Sequence, residues 1–234
     1  MKVVILAGGY GSRLSEYTKT IPKPMVKVLG KPIIQRIIDH YVSYGHYEFY
    51  IALGYKGQEI KNYFLKKKFP KKIKINLIDT GKKTMTGGRL KRLKPYLKDN
   101  FLMTYGDGLS NVNLNKLIKF HRRNKKTFTL TAVRPPARFG AIKIKGTYVN
   151  YFKEKNNLDE GWINGGFFVI EPKFFKYLKN DKTFLEREPF EKLTKKKELV
   201  AYKHDGFWQC MDTLRDKEIL EKKLKKKNFL INKS

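Results

Sequence analysis

Residues 3–25 read VVILAGGYGSRLSEYTKTIPKPM, and the fold follows from how this stretch is read. A short apolar run, Val3–Leu6, breaks at once into Ala7, Gly8, Gly9, Tyr10, Gly11, Ser12 and Arg13. An apolar strand that runs into glycines is how α/β proteins bring backbone N–H groups up to a phosphate. Side chains at Gly8, Gly9 or Gly11 would block that approach. Arg13 and Lys23 add positive charge that does not depend on the backbone, and Lys23 is held between Pro22 and Pro24. Two other glycine motifs fit badly. A P-loop needs a Lys-Ser/Thr pair that is missing here. A dinucleotide fingerprint would need glycine where Leu14 stands.

Outward from this stretch, strands alternate with helices. Residues 31–42 carry apolar residues at helical spacing, with Pro32 suited to the first turn and Gly45 to the exit. Residues 47–53 read as a buried strand, 58–65 as a short helix, and 73–78 and 100–105 as further strands. Asn113 is placed to cap a helix running to about Asn124, and residues 127–133 form a β-branched strand. Residues 139–145 and 148–152 flank Gly146-Thr147 as a hairpin. Gly165-Gly166 lies inside the apolar run 163–170 and implies close backbone approach. Residues 184–193 and 213–225 read as helices, the second opened by a Thr213/Asp216 capping box. This order predicts an α/β protein: a mostly parallel mixed sheet flanked by helices, with a small β-hairpin insertion. No repeat or linker divides residues 1–234, so one domain is expected.

The chain has 234 residues and is 41% hydrophobic, enough for a real core. It contains no apolar run long enough to span a membrane. The apolar run after Lys2 is too short for a signal peptide. The single cysteine, Cys210, excludes an internal disulfide and a cysteine-based zinc site, which fits a reducing cytoplasm. The net charge of +31 comes mostly from lysine runs, which read as solvated surface. Aromatics are not interleaved with them as in single-strand binders, so no nucleic-acid partner is expected. The four histidines show no metal spacing.

Other segments carry chemistry. Asp107 stands between Gly106 and Gly108 at the carboxyl end of a strand, where open α/β sheets bind ligands. It could hold Mg²⁺, which takes one or two carboxylates plus phosphate oxygens. Asp212 precedes a helix start and is the second candidate; their spacing does not show whether the two meet. Thr84 to Arg89 forms a polar, glycine-containing loop suited to a nucleobase or ribose. Glu154-Lys155 can hold a sugar hydroxyl and a phosphate side by side.

AGGYGSRL, PKPM, GYKGQEIKNYF, DTG, MTGGRLKR, TYGDG, PPARFGAI, INGGFFV, EPF and GFWQCMDTLRDK follow one another along nearly the whole chain. Their order resembles that of the sugar-1-phosphate nucleotidyltransferases. Within that family, MTGGR paired with GFWQ-x-MDT is similar to the cytidylyl branch. The resemblance implies a Rossmann-like nucleotidyltransferase fold and synthesis of CDP-glucose and pyrophosphate from CTP and glucose 1-phosphate with Mg²⁺, as precursor supply for surface polysaccharide. It further implies that Leu6, Ala7, Gly8, Gly9, Gly11, Ser12 and Arg13 line the CTP, with Lys23 and Arg13 as catalytic cations. Thr84, Arg89 and Gly106 would contact the nucleotide, and Asp107 and Asp212 would bind Mg²⁺. Glu154, Lys155, Asn164 and Gly165 would face the sugar phosphate. A homo-oligomer is expected. The chain departs from the family in a short loop over 64–73, in Cys210 where proline is expected, and in its lysine content. Another sugar 1-phosphate or phosphorylated acceptor, or a catalytically inert nucleic-acid binder, are the alternatives left open.

Overall fold

The computed structural model describes residues 1–135, 141–153 and 161–225. A seven-stranded sheet forms the centre. In chain order its strands are β1 (Val3–Leu6), β2 (Glu48–Leu53), β3 (Lys74–Asp79), β4 (Phe101–Tyr105), β5 (Phe128–Val133), β6 (Ile163–Ile170) and β7 (Leu199–His204). Across the sheet they stand in the order β7-β5-β6-β4-β1-β2-β3. β1 pairs in parallel with β2 and β4, β2 with β3, and β7 with β5. Only β6 is reversed, antiparallel to both β4 and β5. Besides a single turn over Ser15–Thr18, the helices among the described residues are α1 (Ile33–Ser43), α2 (Gly57–Lys66), α3 (Thr86–Arg92), α4 (Leu114–Asn124), α5 (Glu188–Lys195) and α6 (Leu214–Lys225). The mostly parallel, Rossmann-like arrangement is the expected one.

Side chains alternate across a strand, so β1 feeds both faces of the sheet. Val3 and Ile5 join a core with Ile33, Ile37, Ile60, Phe64, Leu117 and Leu220 of the covering helices. Val4 and Leu6 join a second core with Leu90, Phe168, Phe174 and Leu193. Fully burying a side chain of this size stabilises by roughly 1.5–3 kcal/mol. With both faces covered, the sheet can offer a ligand only its edges.

Local signals act largely as expected. Asn113 caps α4, its Oδ1 accepting from the Lys116 backbone N–H at 2.9 Å. The capping box closes in both directions: Asp216 N–H donates to Thr213 Oγ1 at 3.2 Å, and Thr213 N–H to Asp216 Oδ2 at 2.9 Å. Gly165 marks close approach of β6 to β5, since a Cβ there would lie 2.7 Å from a Val133 methyl. Two boundaries differ. Pro32 is paired with Lys27 in a two-residue ribbon rather than in the first turn of α1. The helix expected from 184 begins at Glu188, because Pro189 sets its first turn and the preceding residues form turns that pack against α3. The hairpin is present as Ala141–Lys145 against Tyr148–Lys153; its expected start at 139 lies outside the described residues. No helix among the described residues is long and apolar enough to cross a membrane.

The topology makes one edge special. β1, β2, β4 and β5 all end there, and the reversed β6 begins there, with Ile163 opposite Val133. A short ribbon completes it. Gly108–Ser110 pairs antiparallel with Trp208–Cys210, and Met211 N–H donates to Asp107 O at 2.9 Å.

Candidate active site

A cleft of about 600 Å³ opens at this edge. Leu6 to Arg13, Lys23, Thr84, Arg89, Gly106, Asp107, Asn164 and Asp212 all line it. The loop after β1 bends at Gly11, whose φ of 64° is left-handed and favours glycine. Gly9 faces open space, with nothing within 4 Å of where a Cβ would sit. The bare backbone expected there is therefore present.

Lys23 is the one buried lysine among the described residues, at 7% exposure. Pro22 holds the chain extended ahead of it and Pro24 shapes the short 3-10 turn Lys23–Met25, so its direction is set by rigid neighbours. Its ammonium donates to Asp107 Oδ2 at 2.7 Å and to Asp212 Oδ1 at 2.5 Å. Arg13 Nη1 meets the other oxygen of Asp212 at 2.7 Å. The structure thus brings together four residues that the chain holds far apart. Burial opposes the Lys23 charge, but Asp107 and Asp212 outweigh it and hold the lysine above its ordinary pKa. Burial likewise opposes the Asp212 charge, and Lys23 and Arg13 outweigh it to hold the carboxyl below its ordinary range.

The carboxylates of Asp107 and Asp212 converge on one point, now taken by the Lys23 ammonium. Among the described residues no group of three or more His, Cys, Asp or Glu gathers as a full metal cage. Two hard oxygen donors in an open cleft fit Mg²⁺, which leaves its other positions to phosphate and water. Soft-metal chemistry does not fit. Cys210 is the nearest sulfur, and burial, with the nearby Asp212 and Asp107, pushes its thiol up to about 12, so it stays protonated.

Arg89 departs from expectation. Its guanidinium is 4% exposed and donates to Leu53 O, Thr80 Oγ1, Gly81 O, Gly8 O and Lys82 O at 2.7–3.3 Å. These acceptors lie on the loops that follow β1, β2 and β3. A Cβ at Gly8 or Gly54 would come within 2.3 Å of Arg89 Nη1. Gly8 is thus small to admit a guanidinium behind it while its backbone still lines the cleft. The first amides of α3 are also engaged, Gly87 and Gly88 N–H both donating to Thr183 O. The 84–89 loop therefore lines the cleft with Thr84, Met85, Thr86 and an Arg89 already bound to backbone carbonyls.

Asn164 lines the cleft, but Gly165 does not; its carbonyl accepts from Trp208 Nε1 at 2.7 Å. Glu154 and Lys155 lie outside the described residues. Several lining residues were not anticipated. Trp208 places an indole against the cleft, tied to β6 by that hydrogen bond. The Tyr105 hydroxyl and Thr86 Oγ1 each donate to the carboxylate of Glu186. Burial, then Glu186, raises Tyr105 well above the ordinary tyrosine value, so this hydroxyl remains a donor. Trp208 was visible inside the GFWQ motif; nothing local marks Glu186.

Comparison with known proteins agrees with this geometry. The nucleotidyl transferase family model matches residues 2–216. The chain is 46% identical to a glucose-1-phosphate cytidylyltransferase of Salmonella typhimurium over 94% of its own length and 95% of the relative's. It is 42% identical to a probable glucose-1-phosphate cytidylyltransferase of Bacillus subtilis, covering 92% and 93%. The crystal structure of HddC from Yersinia pseudotuberculosis complexed with GMP-PN superposes with a TM-score of 0.76 at 26% identity, covering 95% of this chain and 98% of that one. With a family match over most of its length and relatives above 40% identity, the chain belongs to the nucleotidyl transferase family.

Proposed function

We propose that this protein transfers the cytidylyl group of CTP to glucose 1-phosphate, releasing pyrophosphate and forming CDP-glucose. The observation that carries the reading is the meeting of Arg13, Lys23, Asp107 and Asp212 in the cleft beside a glycine loop. Identity to glucose-1-phosphate cytidylyltransferases over nearly the whole chain supports the choice of base and acceptor.

An oxygen of the sugar phosphate attacks the α-phosphorus of CTP. A new P–O bond forms, and the bond from the α-phosphorus to the bridging oxygen breaks. The electron pair leaves with pyrophosphate, and no proton need move. Two anions must be brought together in line, so the protein's work is alignment and charge stabilisation. The loop from Leu6 to Arg13, with Thr84 and Gly106, seats the nucleotide. Arg13 and Lys23 neutralise charge on the phosphates. Asp107 and Asp212 would hold Mg²⁺, which when bound neutralises further phosphate charge. Arg89 acts from behind, fixing the loops that line the nucleotide. Asn164, with Glu154 and Lys155, serves the sugar phosphate.

The test is pyrophosphate release with Mg²⁺ and glucose 1-phosphate, running CTP, UTP, dTTP, GTP and ATP in parallel. Selective release with CTP is the expected result. Equal or greater release with another nucleotide would overturn the base assignment. No release with any of them would overturn the activity.

A further inference from the structure

We propose that Lys23 doubles as a built-in surrogate for the divalent cation, so that metal is admitted to the Asp107–Asp212 pair only when nucleotide phosphates draw the lysine away. The inference rests on the metal assignment of the proposed function and adds a second task to a residue otherwise assigned to phosphate charge.

The geometry carries it. Two carboxylates aim an oxygen each at one point, and Lys23 Nζ stands there, 2.7 and 2.5 Å from them. Two carboxylates aimed at one point repel each other unless a cation stands between them. The surroundings allow no easy substitute. Arg13 is committed to the far oxygen of Asp212, and its side chain is 73% exposed, so water screens its charge. Cys210 Sγ, 3.8 Å from Asp212 Oδ2, carries no positive charge. Lys23 is therefore the cation that holds the two carboxylates aimed together in the nucleotide-free protein. Their aim is also held from outside: Met211 N–H binds Asp107 O, and Asp212 N–H donates to Asp216 Oδ2 at 3.1 Å. The pair is thus preformed, and only the cation between them has to change.

A second property follows from the stem. Lysine carries a single mobile charge on a flexible chain, unlike the planar arginine fork. The prolines hold the Lys23 backbone, and its flexible stem runs along the cleft wall. A triphosphate on the loop from Gly8 to Arg13 offers the ammonium a stronger anion than either aspartate. Once the ammonium moves to it, the carboxylates are left facing each other, and a cation carried by the nucleotide has a prepared seat. The order is then nucleotide and metal together, with little affinity for bare metal.

The experiment measures Mn²⁺ binding to nucleotide-free protein, by calorimetry and by the electron paramagnetic resonance signal of free Mn²⁺. Wild type is compared with Lys23→Met, which keeps the stem and removes the charge. A competitor that holds the site most of the time weakens apparent affinity by its occupancy, so removing it should tighten Mn²⁺ binding by roughly tenfold or more. The added variant Lys23→Met/Asp212→Asn should lose that gain. Equal or weaker Mn²⁺ binding in Lys23→Met would overturn the proposal, because a ligand-side role for Lys23 alone predicts no gain. If Lys23→Met folds only with metal present, Lys23→Gln, which keeps one donor for the carboxylates, is read the same way with a smaller gain. Pyrophosphate release on the wild-type sample runs beside it, so a failed activity and a failed surrogate are told apart.

Discussion

Arg89→Ala separates a guanidinium that holds loops from one that holds substrate. The side chain is 4% exposed and serves five acceptors. Its loss does not orphan all five. Leu53 O still accepts from Thr80 N at 3.0 Å and from Thr80 Oγ1 at 2.6 Å, and Gly8 O from Tyr55 N at 3.1 Å. Gly81 O and Lys82 O lie toward solvent and can turn to water. What remains is the loss of charge-assisted bonds, each worth about 1.5–3 kcal/mol at most, and a void between three loops. A total near 3 kcal/mol follows, about two such bonds rather than five. For a chain of this size each kcal/mol moves Tm by about 2–4 °C, so Tm should fall by roughly 6–12 °C. The assay is thermal unfolding without any nucleotide. Arg89→Lys should lose most of the same stability, since one ammonium cannot span the acceptors. A Tm loss under about 2 °C, with CTP affinity nonetheless abolished, would refute the reasoning and return Arg89 to direct nucleotide contact.

Lys23→Ala should cut turnover by roughly 10²–10³, the scale for losing one charge-stabilising donor; near-normal turnover in folded protein would sink that role. Asp216→Ala should cost about 1–2 kcal/mol of stability, since its carboxylate caps α6 through the Asp212 and Thr213 amides; an unchanged Tm would contradict it. Cys210, held at about 12, should alkylate slowly at pH 8, with a rate still rising at about pH 10; a plateau near the ordinary thiol value would count against the burial argument. Glu198 is held below its ordinary range by the Thr127 hydroxyl and backbone N–H, so its contribution is present above the unfolded value and lost as pH falls through the folded one. Tm curves of wild type and Glu198→Gln should therefore differ at neutral pH and converge only as pH falls through the depressed folded-state value; parallel curves would refute this.

Much of this molecule was legible before its folding was known, and the reasons are local. β1 and its glycine loop, the Asn113 cap and the Thr213/Asp216 box depend on neighbours a few residues away, and they appear as read. The helix expected from 184 starts four residues later because the segment before it is shaped by α3, whose glycines let residues 181–183 pack close. The active carboxylates were named but their meeting was not, since Lys23 lies 84 residues from Asp107 and 189 from Asp212. The parallel pairing of β1 with β4 and the ribbon at Cys210 bring them to one edge. The backbone contacts of Arg89 were hidden for a related reason. An arginine in a polar loop reads as a ligand group until Gly8 and Gly54 are seen to make room for it.

The ribbon between Gly108–Ser110 and Trp208–Cys210 also sets a clock on biosynthesis. Chains emerge from the ribosome amino end first, and early segments begin to order before late ones exist. All seven strands of the sheet have been made by His204, yet Asp212 and the helix that caps it have not. Until then Lys23 has one carboxylate, and the nascent protein is a framework with half a centre. Chemistry waits for the segment that carries Asp212, so a product stalled before it would hold the sheet strands yet remain inert toward the cell's nucleotides.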